Sequence, residues 1–465
     1  MLKEHIKGDV TFMYATLKGV QQEFVFSGAM KSFHARKQQL EKLKQMLHQH
    51  EQEFLRAVNK DLNKQEAEAF MMELGTVHAE ITHALESLEE WMEPVNVKTP
   101  VTHTGSKSYL VNEPYGSVLI IAPWNYPIQL TFSPLVGALA AGNSAVIKPS
   151  ELTPHTSSAI AAAVRATFAQ EIVAVVEGDA KTSEALLKQG FDYIFFTGSV
   201  AVGKIVMKHA AEHLTPHTLE LGGKSPVIVA EDAKLDLAAK RIAWGKFTNA
   251  GQTCIAPDYV MVHESVYEDF LKKLKKHTYN LFSQRTKEGT FTQIVNDKHF
   301  DRLAAFLNDG EIVLGGQSSK EDRLIAPTLL TDVDWDAPIM QDEIFGPILP
   351  VFPFKSATEV LVRVRSLPNP LALYVFSEEE QTQKLYTEQL SFGGGCINDT
   401  IMHVANPYLP FGGKGPSGIG AYHGYESFRT FSHQKGMLKQ TTAFDMPLRY
   451  KSGKVMNKII RSVFK

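Results

Sequence analysis

The pattern of apolar positions changes along the chain, and each pattern predicts a different kind of element. Between about residues 32 and 96 the apolar residues recur at intervals of three and four, for example at Leu40, Leu43 and Leu47. This spacing places them on one face of a helix. We therefore predict two long amphipathic helices, each with one buried face that covers a sheet.

From residue 117 the chain alternates between short apolar runs and helix-like stretches. Short uninterrupted apolar runs are typical of strands buried on both faces, and their alternation with helices predicts a parallel, doubly wound sheet. Strands are predicted at residues 117–122, 144–147, 172–176, 193–196 and 218–221. Helices are predicted at residues 130–141, 156–168, 181–188 and 201–213.

The alternation resumes after residue 224 and predicts a second α/β unit. Its strands are predicted at residues 259–263, 311–314, 348–352 and 371–376, and its helices at 235–249, 265–281, 297–308, 357–366 and 379–388. Chains beyond roughly 250–300 residues usually divide into domains, so a chain of 465 residues favours two. A cleft between two α/β units is the expected ligand site.

One extended segment, residues 99–114, precedes the first sheet. It could form an exposed hairpin, and an exposed strand edge needs a partner. We therefore expect this segment to act as an oligomerisation arm.

Composition and charge exclude several classes of protein. The net charge of −3 and the pI of about 6.6 provide no field that favours nucleic acid, so we expect no such partner. The longest apolar stretches are far shorter than the roughly 20 residues that span a bilayer, and the start of the chain lacks the apolar segment of a signal peptide. Two cysteines, Cys254 and Cys396, fit a reducing, cytoplasmic setting.

Two glycine motifs resemble phosphate-binding loops. Residues 413–418 match G-x-G-x-x-G, but two prolines precede the motif and too little chain follows it for a nucleotide-binding domain, so we predict a turn. Residues 198–204 resemble a Walker A loop but have Ile205 where Ser or Thr must bind magnesium. A helix that Ser199 caps would still suit a pyrophosphate, and an ordinary strand-to-helix turn explains the motif equally well.

Cys254 is the candidate nucleophile. Most lone cysteines are buried and inert, but this one lies in a predicted loop three residues after Gly251, and such loops often hold reactive groups. A thiolate that attacks a carbonyl needs an oxyanion donor, a base and a hydride acceptor. Asn125 and Glu220 could supply the first two because both lie at the carboxyl ends of predicted strands, which converge in parallel sheets. Asn125 could instead cap a turn, and Glu220 could pair with Lys224.

Seven motifs then connect the chain with a known family. They are residues 122–127 (APWNYP), 147–151 (IKPSE), 196–199 (FTGS), 220–226 (ELGGKSP), 251–257 (GQTCIAP), 343–347 (EIFGP) and 410–413 (PFGG). In this order they resemble the aldehyde dehydrogenases, over about residues 24–450. Residues 398–403 and 420–424 resemble the class 3 and fatty aldehyde dehydrogenase branch.

The resemblance implies an activity and roles for three residues. Cys254 would attack an aldehyde to give a thiohemiacetal, and Asn125 with the Cys254 backbone N–H would hold its oxyanion. Glu220 would activate water to hydrolyse the thioester to a carboxylic acid. The branch implies medium- or long-chain aliphatic, or aromatic, aldehydes. A CoA-acylating or semialdehyde dehydrogenase is the alternative enzyme, and non-enzymatic reuse of the fold is a second alternative.

The resemblance also implies NAD or NADP as cofactor, and no metal. Nine residues would contact the cofactor: Lys148 and Glu151 at the adenosine ribose, Gly198, Ser199 and Gly203 near the pyrophosphate, Glu343 at the nicotinamide ribose, Phe345 beside the ring, and Trp124 and Leu221 elsewhere in the same site. An acid near the ribose, Glu151, favours NAD without excluding NADP.

The same resemblance implies a division of the chain and a homodimer. Residues 1–98 and 115–221 would form the cofactor-binding domain, residues 222–410 the catalytic domain, and residues 99–114 with 411–445 the oligomerisation arm and bridging segment. The first dozen residues look like an addition to the family pattern. The tail, residues 446–465, is basic from Lys451 onward. This composition suits peripheral contact with an anionic membrane, and a tail that packs on the body or is disordered explains it as well.

Overall fold

The computed structural model describes residues 10–445, 450 and 453–463. As far as residue 221 its helices are α1 Val10–Phe26, α2 Phe33–Leu62, α3 Glu66–Ala69, α4 Gly75–Met92, α5 Gln129–Ala141, α6 Pro154–Thr167, α7 Ala180–Leu187 and α8 Val200–His213. Its strands there are β1 Val95–Val97, β2 Ser106–Pro114, β3 Ser117–Ile121, β4 Ser144–Lys148, β5 Val173–Val175, β6 Tyr193–Thr197 and β7 His217–Glu220.

Beyond residue 221 the helices are α9 Leu235–Phe247, α10 Tyr267–Lys287, α11 Asp297–Phe306, α12 Pro338–Gln341, α13 Ala357–Ser366, α14 Glu380–Gln389, α15 Gly424–Thr430 and α16 Lys454–Val463. The strands are β8 Pro226–Val229, β9 Tyr259–His263, β10 Glu311–Leu314, β11 Ser318–Ser319, β12 Leu324–Ile325, β13 Thr328–Thr331, β14 Ile348–Phe354, β15 Ala372–Phe376, β16 Gly394–Ile397, β17 Gly418–Ile419 and β18 Ser432–Gln440.

The first sheet contains six strands in the order β17-β7-β6-β3-β4-β5. The five strands β3 to β7 are parallel, and only β17 is antiparallel to its neighbour. Every residue of β3, β4 and β6 is buried, which explains why these strands appear in the sequence as uninterrupted apolar runs. The predicted doubly wound sheet is confirmed.

The second sheet has seven strands in the order β10-β13-β14-β9-β8-β15-β16. Six are parallel, and β10 at the edge is antiparallel. Strands β8, β13 and β16 do not appear among the predicted elements. Strand β8 (PVIV) has only four residues and begins with a proline, and half of the residues of β16 (GGCI) are glycines, so both give weak strand patterns.

The third sheet is antiparallel, in the order β1-β2-β18. Strand β2, inside the segment predicted as an exposed hairpin, pairs with β1 and with all nine residues of β18. The partner β18 lies about 320 residues further along the chain, from Ser106↔Gln440 to Pro114↔Ser432. Seven of the nine residues of β18 are exposed, so this sheet has an open edge.

Helix α1 packs against β3 and β4 of the first sheet, while α2 packs on helices α4, α5 and α6. Leu40, Leu43 and Leu47 are fully buried, as the helical spacing predicts. The second predicted helix corresponds to α4, and a π-helical turn at Phe70–Leu74 joins it to the short α3. Helix α1 was not predicted. It begins inside the first dozen residues, and its Gln21 donates through Nε2 to the carbonyl of Ala145 (3.0 Å).

Candidate active site

The loop that carries Cys254 follows helix α9. The helix ends at Phe247, two residues before the predicted end, and a 3-10 turn at Thr248–Gly251 follows. Asn249, Ala250 and Gly251 all have left-handed backbone angles, and Gly251 is also the point of closest approach to a neighbouring segment. A Cβ at Gly251 would lie 2.2 Å from the carbonyl oxygen of Gly346, so only glycine fits there.

Buried amide groups join this loop to the segment after strand β3. Asn249 donates through Nδ2 to the carbonyls of Asn125 (3.0 Å) and Gln252 (3.0 Å). Asn125, also buried, donates through Nδ2 to the Gln252 carbonyl (3.1 Å). Asn125, the predicted oxyanion donor, is therefore hydrogen-bonded to the loop that carries Cys254. One N–H of its amide is used by Gln252, and an amide has a second N–H to offer.

Cys254 is a free, half-buried cysteine. Burial raises the pKa of the thiol above its ordinary range, and the nearby Glu343 and Glu220 raise it further. The backbone N–H groups of Cys254 and Ile255 act in the opposite direction. The thiol must therefore lose its proton before it can attack.

Glu220 is a candidate base at this site. It ends strand β7 and is 2% exposed, and neither carboxylate oxygen has a hydrogen-bond partner among the described residues. Burial raises the pKa of this carboxyl well above its ordinary value. The alternative pairing with Lys224 does not occur, because Lys224 Nζ lies 2.5 Å from Asp258 Oδ2 and also donates to the carbonyls of Ile339 and Asp342 (both 2.9 Å).

Glu343 lies close to the glycine pair that follows strand β7. A Cβ at Gly222 would be 1.9 Å from its Oε2 atom, so the carboxylate occupies the space that glycine leaves free. Burial raises the pKa of Glu343 well above its ordinary value. Lys246, which sequence reasoning missed, interacts electrostatically with Glu343 and Asp258. Burial lowers its pKa to about 8, and its ammonium has no hydrogen-bond partner among the described residues.

The predicted pyrophosphate residues surround the start of helix α8. Ser199 caps this helix and accepts a hydrogen bond from the Val202 N–H (3.4 Å). A Cβ at Gly203 would lie 2.8 Å from Leu221 Cδ2, so the helix packs directly against the end of β7. Gly198 donates its N–H to the Glu220 carbonyl (3.0 Å). The hydroxyl of Thr197, which sequence reasoning missed, is buried without a partner among the described residues.

The remaining predicted cofactor residues form two pairs. Lys148 is buried at the end of strand β4, and its Nζ lies 2.6 Å from Oε2 of the partly exposed Glu151. Trp124 and Phe345 meet edge to face with ring centroids 5.3 Å apart. The glycine motif at residues 413–418 is the turn that the sequence predicts, with the Gly418 N–H bonded to the Gly415 carbonyl (3.2 Å).

A cavity of about 150 Å³ opens at Cys254. Most of its lining is apolar or aromatic, including Met71, Met72, Leu130, Trp244, Ile401, Met402, Val404, Phe411 and Tyr422. Its polar wall contains Glu80, which lies 2.5 Å from His423 Nδ1 and also accepts the Gly424 N–H (3.0 Å). These residues come from α4, the π-helical turn, α5, α9 and the loops between residues 401 and 423. Sequence reasoning could not assemble them.

Comparison with known proteins shows what this arrangement resembles. The model of the aldehyde dehydrogenase family matches residues 22–437. The 4,4'-diaponeurosporen-aldehyde dehydrogenase of Staphylococcus aureus is 46% identical over 455 residues, covering 96% of this chain and 99% of the relative. The dimeric NADP-preferring aldehyde dehydrogenase of Rattus norvegicus is 42% identical over 424 residues, covering 91% and 93%.

Solved structures agree with these matches. The substrate-bound state of Staphylococcus aureus AldH superimposes with a TM-score of 0.94 at 46% identity, covering 97% of this chain and 99% of that one. The NAD⁺ complex of aldehyde dehydrogenase from Bacillus cereus gives a TM-score of 0.84 at 28% identity, covering 92% and 89%. The predicted activity, NAD(P)-dependent oxidation of aldehydes, is confirmed, and the chain belongs to the aldehyde dehydrogenase family.

Proposed function

We propose that Cys254 is the nucleophile, Asn125 the oxyanion donor and Glu220 the general base of this aldehyde dehydrogenase. The assignment rests on the environment of the Glu220 carboxylate. This carboxylate is buried, has no hydrogen-bond partner among the described residues and acts electrostatically on the Cys254 thiol. An unpaired buried carboxylate costs stability, and a raised pKa suits it to accept protons near neutral pH.

The reaction follows from these positions. The Cys254 thiol loses its proton to solvent, and its sulfur bonds to the aldehyde carbon to give a thiohemiacetal. The oxygen that gains negative charge accepts the free N–H of Asn125 and the Cys254 backbone N–H. NAD(P)⁺, when bound, supplies the hydride acceptor that oxidises this adduct to a thioester. Glu220 then takes a proton from water, the water oxygen attacks the thioester carbon, and the carbon–sulfur bond breaks to release the acid.

The residues around helix α8 fit a dinucleotide. The helix start offers N–H groups to a phosphate, and the orphaned hydroxyl of Thr197 is a buried polar atom that a ligand would satisfy. We assign the adenosine ribose to Lys148 and Glu151, and the nicotinamide ribose to Glu343. The pyrophosphate falls to Gly198, Ser199 and Gly203, while Trp124, Leu221 and Phe345 line the rest of the site. Glu151, partly exposed next to Lys148, favours NAD because an acid repels a ribose phosphate.

The division into domains follows the same assignment. Strands β3 to β7 form one sheet within residues 115–221, and β8, β9 and β13 to β16 belong to another within residues 222–410. This supports our assignment of residues 1–98 and 115–221 to cofactor binding and 222–410 to catalysis. Residues 99–114 and 411–445 would then be the arm and bridge.

The cavity supports apolar substrates. Methionine, leucine, isoleucine and aromatic side chains dominate its walls, and burial of each methylene of a substrate contributes about 0.8 kcal/mol. We therefore propose medium- or long-chain aliphatic, or aromatic, aldehydes. In a panel of straight-chain aldehydes, kcat/KM should rise by about threefold or more per added methylene until the chain outgrows the cavity. A flat profile would contradict an apolar site.

The test of the catalytic assignment separates the two half-reactions. With saturating aldehyde and cofactor, the Glu220→Gln variant should give a burst of reduced cofactor of about one per site and then turn over on the order of 10²–10⁴-fold more slowly than wild type. Cys254→Ala should give no burst. Glu321→Gln, an exposed acid, is the control and should match wild type.

Two outcomes would contradict the assignment. Steady-state turnover in Glu220→Gln equal to wild type would remove Glu220 from hydrolysis. Acyl-CoA as the main product when coenzyme A is added to wild type would instead favour the CoA-acylating alternative.

We propose a homodimer formed through the three-stranded sheet. Its edge strand β18 exposes Met437 and Leu438 at 41% and 49%, and an apolar open edge is a site for pairing with another chain. The rat relative is also described as dimeric. Light scattering after gel filtration should show a dimer for wild type and a shift to monomer for Leu438→Asp. An unchanged dimer in this variant would move the interface elsewhere.

We also propose a cytoplasmic location with peripheral membrane contact through the tail. No helix among residues 10–445 and 453–463 is long and apolar enough to cross a membrane. Helix α16 carries Lys454, Lys458 and Arg461 without an acid, which suits an anionic surface. Removal of residues 451–465 should abolish binding to anionic liposomes. Equal binding of the full and shortened chains would refute the contact.

A further inference from the structure

Three side chains with metal-binding atoms meet on the paired helices α2 and α4, away from the nucleophile. His48 and Glu51 are three residues apart on α2, and His78 lies on α4. One ligand atom from each lies within 4.8 Å of the other two. The two imidazole rings stack with centroids 4.5 Å apart and planes inclined at 29°.

His78 lacks the hydrogen bonds that a buried imidazole normally has. Both ring nitrogens are buried, and neither has a partner among the described residues. One nitrogen of a neutral imidazole is a donor and the other an acceptor, so both are left unsatisfied. His50, two residues from His48, contrasts with this arrangement, because its Nδ1 lies 2.9 Å from Glu53 Oε2.

We propose that His48, Glu51 and His78 bind a divalent transition-metal ion, with Zn²⁺ as the ion that fits best. Two imidazole nitrogens and one carboxylate oxygen are a common ligand set for zinc, with water in the fourth position. Magnesium and calcium prefer oxygen ligands alone. Ligand atoms about 2.1 Å from a tetrahedral ion lie about 3.4 Å from one another. The ligand atoms of the three residues lie within 4.8 Å of one another, and rotation of the exposed His48 and the half-buried Glu51 would bring them to that spacing.

The ion would connect two helices behind the wall of the substrate cavity. Thr76, Ala79 and Glu80 of α4 line the cavity, while His78 faces α2. One turn away, Lys44 of α2 donates to the hydroxyl of Thr82 (3.2 Å), so the helices already contact each other there. A bound ion would add a coordinate link to α4, and its binding energy would stabilise the folded chain.

Lys44 provides an independent check. Its ammonium acts electrostatically on His78, so it opposes a second positive charge at this place. Replacement by the uncharged Lys44→Met should tighten metal binding by about threefold or more, since a screened charge of this kind contributes roughly 1 kcal/mol. Generic binding to scattered surface histidines would not respond to this change.

The test is zinc titration by calorimetry in the full chain with Cys254→Ser and Cys396→Ser, because thiolates also bind zinc. We expect one ion per chain. His48→Ala and His78→Ala should each weaken binding on the order of 100-fold or more, since loss of a ligand exceeds loss of its supporting contacts. His50→Ala is the matched control and should leave the affinity unchanged. With Co²⁺, the wild-type chain should show visible bands without thiolate charge transfer.

Three results would overturn the proposal. One is the absence of zinc binding up to about 1 mM zinc, because a site with three protein ligands should bind more tightly than this. Another is equal affinity in His48→Ala and the parent chain, and this variant decides the question if His78→Ala fails to fold. The third is equal loss of affinity in His50→Ala.

Discussion

A fully buried ion pair holds the Asn125 segment in place. Lys64 and Glu73 are both 0% exposed, and Lys64 Nζ lies 2.6 Å from Glu73 Oε1. The same ammonium donates to the carbonyl of Asn125 (3.1 Å) and lies 4.3 Å from the centre of the Tyr126 ring. The second oxygen of Glu73 accepts the N–H of Ile128 (2.8 Å). Lys64→Met therefore removes one charge from a closed network and leaves the other buried.

The magnitude follows from what each partner loses. Removal of one member of a buried pair costs about 3–5 kcal/mol, because the remaining charge has no compensation. Loss of the hydrogen bond to the Asn125 carbonyl adds about 0.5–1.5 kcal/mol. The double variant Lys64→Met with Glu73→Gln removes the stranded charge and keeps an acceptor for Ile128. It should recover at least half of the loss.

The assay is urea unfolding of the three proteins, followed by tryptophan fluorescence and by activity. The midpoint should be highest for wild type, intermediate for the double variant and lowest for Lys64→Met. Activity should be lost before global unfolding in Lys64→Met, since the Asn125 segment loosens first. The reasoning fails if Lys64→Met unfolds at the wild-type midpoint, or if the double variant is less stable than the single one.

Two further predictions concern the walls of the site. Gly222→Ala places a Cβ 1.9 Å from Glu343 Oε2, so the KM for the cofactor should rise roughly tenfold or more. The control Gly19→Ala, whose added Cβ meets open space, should leave that KM unchanged. Burial raises the pKa of Glu80, but the charge and hydrogen bond of His423 outweigh burial, and the net pKa lies below 4.5. Glu80 therefore contributes stability above pH 4.5 that is lost as the pH falls through the lowered pKa. The difference between the urea unfolding midpoints of wild type and Glu80→Gln should therefore become smaller as the pH falls below 4.5. A difference that stays constant would show that the interaction with His423 is not the source of this stability.

The sequence by itself determined the class of fold and most of the elements. Strands such as β3 and β6 are buried on both faces, so each appears as a short apolar run whatever its neighbours are. Leu40, Leu43 and Leu47 reveal the buried face of α2 for the same reason. The spacing of apolar residues along a short segment shows which of its positions are buried, because a helix or a strand brings regularly spaced side chains to the same face. The chemistry of Cys254 needed the resemblance to a family as well.

Only the tertiary structure decided which distant groups meet. The pairing of β2 with β18, the network of Lys64 and the partner of Lys224 all join residues far apart in the chain, and no local pattern encodes such distances. The environment of the Glu220 carboxylate likewise depends on residues far apart in the chain. Its place at the end of a strand could be read from the sequence, but its lack of a hydrogen-bond partner among the described residues depends on every segment packed around it. That unpaired, buried carboxylate is the physical basis for its proposed role as a base.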